Sequence, residues 1–344
     1  MKIKDICTSV TDGSHNPPLG IEKSEYMMLS SKNIFDDEIT FDEPRFLTER
    51  DFEKEHRRTK IAVGDVLFTI VGTVGRIAVV DEDMPTFALQ RSVAVLHPKN
   101  DVCLPRFLMY ALRGKRTYIE NRAKGVAQKG IYLKEVSDID IHIPDISNQE
   151  IIINKLDKVN AIIKLRQKEL LVLDNFIKAR FVEMFGDPIR NTQNRPTTEF
   201  INVVRMQRGF DLPVQDRQQD GKIPVYGSNG VLDHHNVAKI QGGGVITGRS
   251  GTIGKVFYTE GDYWPLNTSL FSVDTHGNNV IYLAYLLQLF NLTRFVEGTG
   301  VPTLNRNMFH NKQIIDAPIE EQNQFADFVH QVDKSKFGKL STLL

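Results

Sequence analysis

The sequence predicts an α+β protein that uses one plan twice: globular unit, long helix, globular unit, helix. The first supporting observation is an internal repeat with a period of roughly half the chain. GDVLFTIVGTVGRIAVV (64–80) aligns with GGVITGRSGTIGKVFYT (243–259), matching Gly64 to Gly243, Val66 to Val245, Gly72-Thr73 to Gly251-Thr252 and Gly75-Arg76 to Gly254-Lys255. The second is a central run with an apolar residue every three or four positions, the spacing of a helix–helix seam. A length of 344 residues, 41% of them hydrophobic, suits two domains with real cores and a connector.

The elements follow in chain order. Val66–Val71, Ile77–Val80 and Val93–Leu96 read as strands of the first unit, and Val245–Thr247 and Val256–Tyr258 as strands of the second. Each glycine loop is followed by a polar tetrad, LQRS (89–92) or LNTS (266–269), and then by a helix-like stretch, PRFLMYALRG or IYLAYLLQLF. KGVAQKGIYLKEVSDIDIHIP and TGVPTLNRNMFHNKQIIDAPI come next, pairing Gly125-Val126 with Gly300-Val301 and Pro144 with Pro318.

Ser147 and Glu150 read as a capping box at the start of the central helix, and Gly186-Asp187-Pro188 as its stop. Its predicted seam runs through Ile152, Leu156, Val159, Ile163, Leu170, Leu173 and Ile177, with Arg166 and Arg180 also at seam positions. The span from 147 to 185 corresponds to about 58 Å. A narrow seam needs a partner, and the second helix, with Phe325, Val329 and Val332, is the expected one, as an antiparallel coiled coil. The expected divisions are 1–145, 146–187, 188–318 and 319–344.

The formal net charge is zero, but the charges are segregated. Residues 106–134 carry Arg106, Arg113, Lys115, Arg116, Arg122, Lys124, Lys129 and Lys134 against Glu120, whereas residues 22–55, including FDDEITFDE, are acidic. Such a basic run reads either as a solvated face or as a nucleic-acid surface. There is no apolar run of membrane-spanning length, and MKIKDICTSV lacks the apolar core of a secretory signal. Cys7 and Cys103 lie far apart with no CxxC, as ordinary small residues in a reducing cytoplasm.

Three motifs that suggest enzyme chemistry do not hold up. GRSGTIGK (248–255) lacks phosphate-loop spacing, and Val256 stands where a Mg²⁺-holding hydroxyl belongs. Asn16-Pro17-Pro18 is followed by Leu19, not by the aromatic residue that an amino-methyltransferase stacks on a flipped base. His234-His235 has no companion ligands in sequence. A stand-alone nucleotide- or S-adenosylmethionine-dependent enzyme is therefore the alternative reading, and a non-catalytic DNA reader the leading one. Loops rich in Gly, Ser, Thr, Asn, Gln and Arg supply bidentate partners for bases and donors for phosphates.

In order and in duplicate, IPVYGSNGV, GRSGTIGKVFY, WPLNTS, GVPTLNRNMF, EEQNQFADFVHQVDKSK, SSKNI and GDVLFTIVGTVGRIAVV resemble the specificity (S) subunits of type I restriction–modification systems. KLDKVNAIIKLRQKELLVLDNFIKARFVEMFGDP resembles the central helix of that family. The resemblance implies two target recognition domains, each reading half of a bipartite double-stranded DNA site, on spacer helices that dock two methyltransferase (M) subunits. It further implies motor-nuclease (R) subunits in the full complex, with S-adenosylmethionine, ATP and Mg²⁺ serving the partners and no cofactor or metal in this chain. By position in the repeat, the DNA-facing candidates are Arg76, Gln90, Arg91, Lys124, Gln128 and Lys129 in the first unit. In the second they are Ser228, Asn229, Arg249, Ser250, Lys255, Asn267, Thr268, Thr303 and Arg306. The family's second helix is expected to match the first in length; here it runs about 25 residues from Glu320 and is expected to reach only part way.

Overall fold

A computed structural model describes residues 1–125, 129–218, 220–298 and 302–338. The chain divides into two compact units, Met1–Lys164 and Leu165–Leu344, so that the central helix contributes its first half to one and its second half to the other.

In unit 1, β1 (Cys7–Asp12), β2 (Val66–Thr69), β3 (Ile77–Val79) and β4 (Val93–Pro98) form an antiparallel sheet of order β1-β4-β2-β3. The two-residue period of a strand sorts its side chains into two cores. Val66, Phe68, Ile77, Ala94 and Leu96 join Phe107, Leu108 and Leu112 of α1 (Pro105–Arg113). On the opposite face, Leu67, Ala78, Val93 and Val95 pack with Leu29, Ile34, Ile39 and Phe87. With both faces covered, β2 is buried at every position, which explains why its Val66-Leu67-Phe68 run is apolar without alternation.

The central helix, α2 (Ile146–Phe185), has 40 residues and is about 60 Å long. Its cap is Asp145 rather than Ser147. The Asp145 carboxylate accepts the Asn148 N–H at 2.9 Å, and bonds to that backbone N–H and to the Asn148 side chain hold its pKa below the usual carboxylate range. The helix ends as expected: Gly186, at φ 81°, takes the left-handed conformation that closes it.

The predicted seam does not coincide with the buried face of α2. Ile152 packs partly into the unit 1 core, but Leu156, Val159 and Ile163 are exposed. The side turned to unit 1 instead runs through Gln149, Ile153, Asp157 and Asn160, because an α-helix repeats every 3.6 residues and a 3.5-residue stripe drifts around it. In unit 2 the seam is buried: Leu170 is half-covered, Leu173 packs against the core, and Ile177 lies inside it with Phe181, Phe185, Phe325, Val329 and Val332.

Unit 2 repeats the sheet. β5 (Arg205–Arg208), β6 (Gly244–Gly248), β7 (Val256–Thr259) and β8 (Ser269–Asp274) have the order β5-β8-β6-β7, again antiparallel throughout. One face packs on α3 (Val280–Phe290) and on α4 (Ile319–Gly338); the other carries Ile246 and Phe271 against Tyr226 and Tyr263.

Near the start of both α2 and α4 lies a buried glutamine in the same role. Gln149 accepts the Leu104 N–H at 2.8 Å and donates to the carbonyls of Val102 and Pro144, both at 2.8 Å. Gln322 accepts the Asn279 N–H at 2.9 Å and donates to Asn278 Oδ1 at 2.6 Å and the Ala317 carbonyl at 2.8 Å. Leu104 and Asn279 are the residues that precede α1 and α3, so each glutamine ties the start of α2 or α4 to the start of its unit's packing helix.

The acidic stretch of unit 1 is partly internal rather than a solvated face. Asp36 takes Arg116 at 2.6 Å and Asp37 takes Arg106 at 3.1 Å, so two cations of the basic run are neutralised within the fold.

Candidate nucleic-acid interface

In unit 2 four loops meet at one end of the sheet. The 249–255 loop joins β6 to β7, and its glycines are there for geometry: Gly251 and Gly254 sit at φ 81° and 91°. A Cβ on Gly248 would lie 1.7 Å from the Thr252 carbonyl oxygen. The loop is thus a tight hairpin, with no phosphate cradle built from it.

Backbone bonds draw the other loops to it. Arg249 N–H and Ser250 N–H donate to the Thr268 carbonyl at 2.9 and 3.2 Å, Leu304 N–H donates to the Arg249 carbonyl at 2.8 Å, and Ser250 bridges to Thr303. Lys255 Nζ donates to Asn229 Oδ1 at 2.8 Å, Asn267 donates to Asp211, and Arg249 reaches the Asn267 carbonyl at 3.2 Å. Ser228 adjoins the same hairpin through its neighbour Asn229 and through its own carbonyl, 2.8 Å from the Gly248 Cβ position. All nine candidates of the second unit therefore gather in one region.

The floor of that region is a cleft of about 420 Å³ lined by Arg208, Arg249, Thr303, Asn305, Arg306 and Asn307, with Glu297 as its acid. A neighbouring cleft of about 560 Å³ shares Arg208 and Arg306. Three guanidiniums against one carboxylate, set among asparagine amides, suit phosphate oxygens and guanine edges. His310, beside this cleft, accepts the Met206 N–H through Nε2 at 3.2 Å. Burial and then the cations of Arg306 and Arg205 hold its pKa below the ordinary value.

Unit 1 builds a cleft at the matching place with different side chains. Its frame is the same: Val71 bridges to Gly130 and Ile131 N–H donates to the Ile70 carbonyl at 2.9 Å, as Ser250 bridges to Thr303 and Leu304 donates to Arg249. The cleft, about 370 Å³, is lined by Asp12, His15, Arg91, Lys124 and Tyr132 among others. Asp12 is engaged by His15 at 2.7 Å and Arg58 at 3.2 Å. Lys129 lines an adjoining cleft of about 230 Å³ with Thr73 and Glu120.

Two candidates of unit 1, Arg76 and Gln90, stand apart from these clefts. Arg76 lies 4.9 Å from the Phe35 ring and reaches the Ile34 carbonyl at 3.5 Å, a packing role. Gln90 is half-buried in backbone pairing with Leu29 and Ser14. Gln128 lies outside the described residues.

Sequence reasoning missed Arg208, Asn305, Asn307, Asp12 and His15. Gly13 and Gly209 are the signal that points to the first strands: a Cβ on either would come within 2.2 Å of the Leu89 carbonyl oxygen or 2.3 Å of that of Leu266. The residue before each glycine, Asp12 or Arg208, faces its unit's cleft. Among the described residues no group of three or more His, Cys, Asp or Glu could hold a metal, and no helix is long and apolar enough to cross a membrane. Cys7 and Cys103 are free thiols whose pKa burial pushes up to about 12.

Two sheets of identical strand order, each with a loop-lined cleft and each tied to a helix by a buried glutamine, define a duplicated recognition protein. The type I restriction modification DNA specificity domain matches residues 1–175 and 191–342, and the chain belongs to that family. It is 27% identical over 160 residues to the specificity subunit of the type I restriction enzyme EcoBI of Escherichia coli. That match takes in 46% of this chain and spans about a third of the relative's length, 32%. The fold resembles that of the type I restriction–modification S subunit from M. genitalium, at a TM-score of 0.55 and 15% identity, covering 100% of this chain and 92% of the other.

Proposed function

We propose that this chain is the non-catalytic DNA-specificity subunit of a type I restriction–modification complex, each unit reading one half of a bipartite double-stranded site. The observation that carries this reading is the recurrence of one cleft on one scaffold with different linings: Arg208, Arg249 and Arg306 in unit 2, Asp12, His15, Arg91 and Lys124 in unit 1. Two copies of a frame that differ at their clefts suit two different half-sites. The recognition domains correspond to 1–145 and 188–318.

The spacer is the pair α2 and α4, as an antiparallel coiled coil. Contacts within unit 2 support it: Phe176 and Phe328 stack edge-on at 5.3 Å and Lys336 meets Asp174 at 2.7 Å, with the numbers running in opposite directions. Exposed Leu156, Val159 and Ile163 on α2 are apolar surface for the methyltransferase subunits, two of them in the assembly, which motor-nuclease subunits complete. S-adenosylmethionine, ATP and Mg²⁺ belong to those partners, and the complex methylates adenine at N6.

The test is a map of methylated adenines in DNA from cells expressing this chain with its methyltransferase subunit. The expected result is two short defined halves around a fixed unread gap, one half changing when residues 1–145 are exchanged with those of another family member. A continuous motif, or a swap that changes both halves, overturns the proposal.

A further inference from the structure

Unit 1 is attached to α2 at two points. At the first, Gln149 is pinned by its three hydrogen bonds, and Ile152 and Ile153 follow it into the core. Beyond Ile153, the side of α2 turned to unit 1 presents Asp157, Asn160 and Lys164, and the contact becomes polar. Its centre is Asp37, in the turn between the short strands Ile34–Phe35 and Glu38–Ile39, with a side chain only 10% exposed.

One Asp37 oxygen accepts from Arg106 Nη1 at 3.1 Å. The other accepts from Asn160 Nδ2 at 2.6 Å and from Lys164 Nζ at 3.3 Å. Arg106 in turn donates to Asp157 at 2.6 Å, as does the Tyr110 hydroxyl at 2.6 Å. The Asp37 N–H donates to the Ile77 carbonyl at 2.8 Å, which ties the turn to β3. In unit 2 the residues at two of these offsets from Gln322 make simpler polar contacts, His330 meeting Glu260 at 3.2 Å and Asp333 accepting from Tyr258 at 3.5 Å.

A nearly buried carboxylate is a poor device for stability alone, since desolvation consumes much of what its partners return. Its hydrogen bonds are directional, however, whereas an apolar contact tolerates a range of angles. We infer that Asp37 is a positioning residue: by holding Asn160 and Lys164 it fixes the angle between unit 1 and α2. On the reading of the chain as a two-module DNA reader, on which this inference rests, that angle sets the length of the unread gap. Gln149 to Lys164 is a lever of about 22 Å, so a tilt of about 9° moves its far end about 3.4 Å, one base-pair rise.

The experiment uses the complex with its methyltransferase subunit and DNA carrying the native gap, or one base pair more or less. The unaltered chain is expected to methylate the native gap alone. Asp37→Asn, which turns an amide towards the donors of Asn160 and Lys164, is expected to raise methylation at the altered gaps at least tenfold relative to the native one, with both half-sites unchanged. Undiminished gap discrimination overturns the inference, while a motif that is not split in the unaltered chain overturns the functional reading instead. The clamp itself is read in the purified chain by amide exchange: Asp37→Asn should deprotect residues 157–164 at least tenfold while 149–153 stay protected, and equal protection refutes it. Should Asp37→Asn fail to fold, Asn160→Ala with Lys164→Ala on the helix surface decides by the same two criteria.

Discussion

Replacing Gln149 by Met tests whether the pivot of unit 1 is held by hydrogen bonds or by packing. Methionine nearly preserves the side-chain volume and removes all three bonds, so the loss is not a cavity effect. Gln149 is fully buried, and the change leaves the Leu104 N–H and the Val102 and Pro144 carbonyls without their partner. An orphaned buried polar group costs about 1–3 kcal/mol; an under-satisfied carbonyl, with two lone pairs, costs less than a bare N–H, so the total comes to about 3 kcal/mol. For a unit of this size that lowers the unfolding temperature by about 6–12 °C. Calorimetry of the full chain, with amide exchange to assign the transition to unit 1, measures it. A shift below about 2 °C refutes the reasoning, since the pivot would then rest on Ile152 and Ile153. Gln322→Met should reproduce the effect in unit 2.

Three further outcomes are expected. Arg208→Gln and Arg306→Gln each weaken DNA binding by the complex: a lost phosphate contact lowers the salt slope by about one, and a lost base contact costs about 1–3 kcal/mol at one position of the half-site. Titrations across a salt series separate the two, and unchanged affinity with an unchanged slope removes the unit 2 cleft from the interface. His310, depressed below 6.5 by burial and by Arg306 and Arg205, takes up its proton more readily in the unfolded chain. Unit 2 therefore keeps its stability above about pH 6.5 and loses some as the pH falls below it; Arg306→Gln should move the NMR titration of His310 upward, and an unmoved titration contradicts the assigned cause. Gly248→Ala sets a methyl 1.7 Å from the Thr252 carbonyl oxygen and should destabilise unit 2 by at least about 3 kcal/mol, measured by urea unfolding.

Much of the candidate site was legible because duplication marks it. Aligning the glycine loops places Arg249, Ser250, Lys255, Asn267 and Thr268 together, since a repeated loop must close on a repeated sheet. Arg76 matches Lys255 in the repeat, yet its guanidinium lies over the Phe35 ring rather than in a cleft lining. Arg208 and Asp12 escaped notice because a single charged residue at the end of a strand carries no periodic signal. The basic run of 106–134 stays ambiguous in sequence for a related reason, since sequence shows charges and not their partners, and Asp36, Asp37 and Asp157 claim two of its arginines.

By itself the sequence determined the duplicated α+β plan, the long central helix and its glycine stop, and the loops that line the clefts. These follow from local rules: hydrophobic period, left-handed glycines and self-similarity are all written within a few residues of one another or repeated at a fixed offset. Tertiary structure alone decided which face of α2 is covered, that Gln149 and Gln322 are buried and hydrogen-bonded to the residues before α1 and α3, and that Asp37 joins Asn160 and Lys164 across more than a hundred positions of sequence. A helix with apolar residues on more than one side offers several faces of similar merit. The choice among them falls to directional polar contacts made by residues far apart in the chain, and no window of sequence contains both partners.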